Sequence, residues 1–171
     1  MFPVQNDALA FLQGSSALVA AALERWPAPC EVSVLCAPAG SGKTLSALRQ
    51  CAARVTRGQR CVYVTTDSKE RTDLLLRQLP PCSVGAVPIS DLWFFRLPAP
   101  GFDPCKALDW VTLFPAVITE IPGYGAHHAV VDAIECLPGY TPGMLPRIHA
   151  ALVQAAARTG CAVVLLLESP A

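Results

Sequence analysis

The sequence predicts an α/β fold, a mostly parallel sheet covered by helices on both faces. Three observations carry that expectation. Short apolar runs rich in β-formers alternate with segments of helical periodicity, the pattern of strand–helix–strand units. One of those runs enters a glycine-rich turn that opens directly into a helix. Hydrophobic residues make up 53% and charged residues only 15% of the 171-residue chain, as expected when central strands are buried on both sides. That length predicts one domain with a sizeable core.

Residues 3–26 carry Leu9, Leu12, Leu18 and Leu23 at helical spacing, which predicts one or two amphipathic helices interrupted near Gly14. Residues 1–30 are thus expected to form a helical segment on the core of residues 31–171. Pro27 and Pro29 close it. Val32 to Cys36 reads as a buried strand and Thr44 to Ala53 as the helix after the turn. Arg57-Gly58-Gln59 stops that helix. Cys61 to Thr65 is the next strand, Asp67-Ser68 a loop and cap, and Lys69 to Leu79 a helix. After Pro80-Pro81, Val84 to Ile89 reads as a short strand, and Asp91 as the cap of a short helix through Leu97. Residues 98–104 read as loop, Lys106 to Ile121 as an interrupted helix, and 122–125 as loop. His128 to Asp132 is a strand ending in an acid. Turn-rich residues 137–143 precede a helix from Met144 to Thr159, stopped by Gly160. Cys161 to Leu167 is the last strand.

The turn between the first strand and helix is Ala37-Pro38-Ala39-Gly40-Ser41-Gly42-Lys43-Thr44. This is the Walker A phosphate-binding pattern, with Ala where the first Gly usually stands. Gly40 and Gly42 allow backbone conformations that L-residues resist. Successive N–H groups of Pro38 to Thr44 can then surround β- and γ-phosphates, Pro38 alone lacking one. Lys43 adds a positive charge, the Thr44 hydroxyl a ligand for Mg²⁺, and the helix N-terminus its positive dipole end. Asp132, ending an apolar strand, is the Walker B candidate that orders the Mg²⁺ shell. Hydrolysis needs a group to polarise water. Asp67, just past the second strand, is the first candidate and Glu135 the rival. Glu168 closes the final strand as a candidate γ-phosphate sensor. Each has a plain structural alternative: a cap for Asp67, an exposed strand end for Glu168.

Net charge is zero, so bulk electrostatics does not mark a nucleic-acid binder. Charge is uneven, however. Lys43 to Arg77 holds eight basic residues against Asp67, Glu70 and Asp73, fitting either a polyanion-facing surface or a solvated helix face. Eight cysteines are scattered without a C-x-x-C pair, which reads as buried free thiols in a reducing compartment rather than a zinc site. No secretory leader or membrane-length apolar run is recognised, so an intracellular chain without membrane association is expected. His127, His128 and His149 lack metal-ligand spacing and read as hydrogen-bonded histidines. Trp93, Phe94 and Phe95 read as core or partner contacts.

The order of strands Val32–Cys36, Tyr63-Val64-Thr65-Thr66-Asp67, Val130-Val131-Asp132 and Ala162–Glu168 around that loop resembles the ATPase core of the RecA-type recombinase family, over about residues 31–168. The resemblance implies a three-layer P-loop fold, ATP and Mg²⁺ as ligands, and Lys43, Asp67 and Asp132 as catalytic positions. In that family a Glu at the position of Asp67 activates water, and a Gln near that of Glu168 couples nucleotide state to the DNA-binding loop. Both differ here, which implies weak hydrolysis. The small size is similar to short recombinase paralogues, such as the SWIM-zinc-finger-associated ATPase. That likeness implies single-stranded DNA, a zinc-finger or recombinase-paralogue partner, recombination repair and a nuclear location. Tyr140 and Arg147, past Asp132, would meet a base and a phosphate by that likeness; a proline-rich surface turn is the simpler account of them. Three other readings compete. A small-molecule or nucleotide kinase needs an Arg-rich lid, and between Asp91 and Asp132 only Arg96 and Lys106 are basic. The others are a nucleotide-binding scaffold and a helicase-like fragment.

Overall fold

The computed structural model describes residues 9–11, 16–79, 91–96, 126–132, 134–136 and 140–169. They form a six-stranded, all-parallel sheet with four α-helices. In chain order the elements are β1 (Leu9–Phe11), α1 (Ser16–Glu24), β2 (Val32–Ala37), α2 (Lys43–Val55), β3 (Cys61–Thr65), α3 (Lys69–Arg77), β4 (Leu92–Arg96), β5 (His128–Asp132), α4 (Leu145–Thr159) and β6 (Ala162–Glu168). Two short 3₁₀ turns lie at Ile134–Cys136 and Pro142–Met144. The sheet order is β1-β2-β6-β5-β3-β4. The α/β class and the parallel sheet expected from the alternation are therefore present.

Alternation along the strands sorts the core into two layers. Val34, Cys36, Val62, Val64, Val131, Val163 and Leu165 pack against Ile148, Leu152, Ala155 and Ala156 of α4. The intervening residues Leu35, Ala37, Cys61, Tyr63, Val130, Val164 and Leu166 pack against Ala47, Leu48 and Cys51 of α2 and Val19 and Leu23 of α1. Burying one such Leu or Val contributes about 1.5–3 kcal/mol. A helix–sheet–helix stack results, in which the central strands need apolar residues at every position. That requirement is why they read as continuous runs.

Two expectations are corrected. Residues 9–11 were expected to be helical, and they form β1, paired in parallel with β2 (Leu9↔Val34). Backbone pairing at the sheet's open edge overrides a helical spacing carried by few residues. The predicted helix from Asp91 to Leu97 is strand β4 instead, paired with β3 from Cys61↔Leu92 to Thr65↔Arg96. Leu-Trp-Phe-Phe is aromatic and β-favouring, and its sides alternate between buried and exposed as an edge strand requires. Asp91 forms an ion pair with Arg60 at 3.8 Å. The predicted strand at Val84–Ile89, helix at Lys106–Ile121 and loops at 98–104 and 122–125 lie outside the described residues.

Candidate functional site

Because every strand runs the same way, β2, β6, β5 and β3 all end on one edge. Ala37 pairs with Glu168, Asp132 with Leu166, and Thr65 with Asp132. The loop from Pro38 to Gly42 leaves β2 at that edge and turns at once into α2. Gly40 and Gly42 have φ of 71° and 82°, the left-handed region. Beyond its chain neighbours, no atom of the described residues lies within 4 Å of where a Cβ would stand on Gly40, so backbone conformation rather than space calls for glycine there. Gly42 is the N-cap of α2, and its carbonyl accepts from Ser46 N–H at 2.9 Å. Lys43 curls back into the turn. Its Nζ donates to the carbonyls of Ala37 (2.6 Å) and Pro38 (2.8 Å), with Ser41 Oγ at 3.5 Å. Ammonium and helix N-terminus thus converge on one spot, where positive potential accumulates.

Asp132 completes this corner. It has the same strand parity as Val130, so it faces α2, whose first turn carries Thr44. Asp132 is 5% exposed. Burial raises its pKa, while the Tyr63 and Thr44 hydroxyls hold the shift down; the charges of Asp67 and Glu135 add to the rise. Tyr63 donates its hydroxyl to Asp132 Oδ2 at 2.7 Å. Burial first, and then Asp132, push that phenol well above its ordinary range. The ring packs tilted on Phe94 at 5.7 Å. Tyr63 was read from sequence only as a β-former. Its one available signal was a phenol in an otherwise apolar run, beside a strand that ends in an acid.

The remaining acids differ in their surroundings. Asp67 lies on the same edge past β3, its N–H on Thr65 Oγ1 at 3.0 Å and its Oδ1 3.2 Å from Arg71 Nε. The cap of α3 is Ser68, whose Oγ accepts from Arg71 N–H at 3.3 Å. Glu135 Oε1 accepts from the Glu168 N–H at 2.7 Å, and its Oε2 is buried with no hydrogen-bond partner among the described residues. The Glu168 side chain itself is exposed.

Tyr140 is half-buried against the α4 layer, and burial raises its pKa. Arg147 is exposed on the first turn of α4. His127 and His128 belong to the opposite edge, whereas His149 lies on α4. Trp26 Nε1 donates to His128 Nδ1 at 3.1 Å, so His128 carries its proton on Nε2, 3.1 Å from Gln59 Oε1. His127 Nδ1 accepts from Arg60 N–H at 3.2 Å. Of the basic cluster, Arg60, Lys69 and Arg71 pair with Asp91, Asp73 and Asp67. Phe94 packs into the core, while Trp93 and Phe95 face outward. Cys36, Cys51, Cys61 and Cys161 are buried free thiols; Cys30 and Cys136 are exposed.

A hydroxyl and a single buried carboxylate are hard oxygen donors of the kind that hold Mg²⁺ together with phosphate oxygens and water. Thr44 and Asp132 fit that role. Among the described residues no three His, Cys, Asp or Glu side chains gather into a metal cage, and no helix is long and apolar enough to cross a membrane. Neither family models nor curated proteins match the sequence.

Proposed function

We propose that the chain is a RecA-like P-loop protein that binds ATP with Mg²⁺ at the 38–44 loop and hydrolyses it slowly. The observation that carries this reading is the convergence of Lys43 Nζ, the left-handed Gly40 and Gly42 and the first turn of α2 on one rim, with Asp132 facing Thr44 across it. Pro38, Ala39, Gly40, Ser41, Gly42, Lys43 and Thr44 form the phosphate cradle. The Lys43 ammonium exchanges the Ala37 and Pro38 carbonyls for β- and γ-phosphate oxygens, which are charged and so hold it more tightly. Mg²⁺ neutralises developing charge on the transferring phosphoryl group when bound. Tyr63 fixes one oxygen of Asp132 and leaves the other toward Thr44. Hydrolysis needs one acid of this edge to polarise water, and Asp67, the position the resemblance implies, has its Oδ1 engaged by Arg71.

The resemblance extends the proposal to recombination repair in the nucleus, on single-stranded DNA and with a zinc-finger or recombinase-paralogue partner. Uneven basic charge supports it, and Arg147, which the resemblance implies would meet a phosphate, is exposed.

The test is nucleotide affinity. Lys43→Ala is expected to weaken Mg·ATP binding by about 10–100-fold, the worth of a charge-assisted contact. Unchanged affinity measured by calorimetry would overturn the site. Phosphate release with and without single-stranded DNA tests the extension, and stimulation is the expected result.

A further inference from the structure

Among the described residues, Glu135 is only half satisfied. One carboxylate oxygen is fixed by the Glu168 backbone N–H at 2.7 Å. The other is buried and has no partner among the described residues. Leaving a buried carboxylate oxygen without a donor is costly, so the arrangement points to a ligand-borne donor. Its position is also specific. Glu168 is the register partner of Ala37, the last residue before the 38–42 loop. The Glu135 carboxylate therefore stands over β6, one strand from the loop. Asp67 extends β3, with β5 and β6 between it and β2. The two acids also differ in engagement. Asp67 Oδ1 is tied to the Arg71 guanidinium at 3.2 Å, whereas Glu135 Oε2 has no partner to give up among the described residues.

We propose that Glu135, rather than Asp67, is the base that holds and deprotonates the water attacking the γ-phosphate, its orientation set by the Glu168 N–H. This rests on the nucleotide site described above. The step balances as follows. The water oxygen forms a bond to the γ-phosphorus and the bond from that phosphorus to the β–γ bridging oxygen breaks. One water proton passes to Glu135 Oε2, and the bridging oxygen leaves with its electron pair on ADP. The proton then goes from Glu135 to solvent, leaving ADP and inorganic phosphate.

Glu135→Gln is the test, since the amide oxygen still accepts from Glu168 N–H while the basic oxygen is lost. Melting temperature and Mg·ADP affinity are expected to stay near wild type, and phosphate release to fall about 100-fold or more. Binding of Mg·ADP with fluoroaluminate, which mimics the transferring phosphoryl group together with its attacking water, is expected to weaken about tenfold or more without any turnover being needed. Asp67→Asn is expected to keep both properties within about threefold of wild type, since it is not asked to take the proton. If Gln unsettles the fold, Glu135→Asp keeps the charge but withdraws the oxygen, and the same two losses are expected. The proposal is overturned if Glu135→Gln releases phosphate and traps fluoroaluminate like wild type, or if Asp67→Asn suffers the large loss. It is equally overturned if wild type does neither. In those cases a Lys43→Ala defect in Mg·ATP binding leaves the nucleotide site standing, whereas Lys43→Ala with normal affinity removes both.

Discussion

Tyr63 and Asp132 show how much one hydroxyl can decide. The carboxylate is buried at a strand end, where burial by itself favours the neutral acid. The phenol 2.7 Å away supplies a donor that favours the charged form. Tyr63→Phe removes that donor and almost no volume. It is expected to cost about 1–3 kcal/mol of stability, read from urea unfolding, because Asp132 Oδ2 is left buried without a partner. A change near zero would mean the pair adds nothing over an apolar contact. Lys43 illustrates the other use of a polar group at this scale. Its ammonium is held by loop carbonyls at 2.6 and 2.8 Å, which keeps a flexible side chain inside the turn. Such preorganisation lowers the entropy lost when a phosphate takes the carbonyls' place.

Among the elements, α2 and α3 start by different means. The N-cap of α2 is Gly42 in the left-handed conformation with no side-chain cap, so its first N–H groups are left to the loop and to any anion there. The N-cap of α3 is Ser68, whose hydroxyl takes the Arg71 N–H, and Glu70 sits in the first turn beside the helix's positive end. Ser68→Ala is expected to destabilise the protein by about 1 kcal/mol, measured by chemical denaturation, with little change in nucleotide affinity. A large fall in affinity would instead tie the start of α3, and Asp67 just before it, directly to the nucleotide site. Strand β4 makes a further point at this scale. Its aromatic run pairs with β3 although an acid precedes it as a helix cap would, because pairing at a sheet edge satisfies every other backbone group while one face reaches the core.

Across the whole molecule the two sheet edges have separate roles. The C-terminal edge gathers Lys43, Thr44, Asp132, Asp67 and Glu135. The opposite edge is closed by Trp26, His128 and Gln59, with the Arg54 guanidinium 4.5 Å over the Trp26 ring. Burial, and then the charges of Arg54 and His127, lower the His128 pKa from 6.5 to about 4. The folded protein therefore binds fewer protons than the unfolded chain between those values. His128 leaves stability intact above pH 6.5, takes it away as pH falls toward 4, and adds no further loss below. Thermal melting followed from pH 7 to pH 4 is expected to drop more steeply for wild type than for His128→Gln; parallel curves would sink the assignment. Much of this layout was legible beforehand. The 37–44 loop, the strands at Cys61–Thr65 and His128–Asp132 and the last helix and strand all follow from local pattern, because phosphate-loop glycines, β-branched runs and helix stops act over a few residues. The strand at Leu9–Phe11, the strand in place of a helix at Leu92–Arg96, the Tyr63 hydroxyl on Asp132 and the half-satisfied Glu135 were decided only in three dimensions. Each depends on a partner distant in the chain, and the physical reason is the same for all four: a backbone edge or a buried oxygen takes whichever group the fold brings beside it, and residue order along the chain does not specify that neighbour.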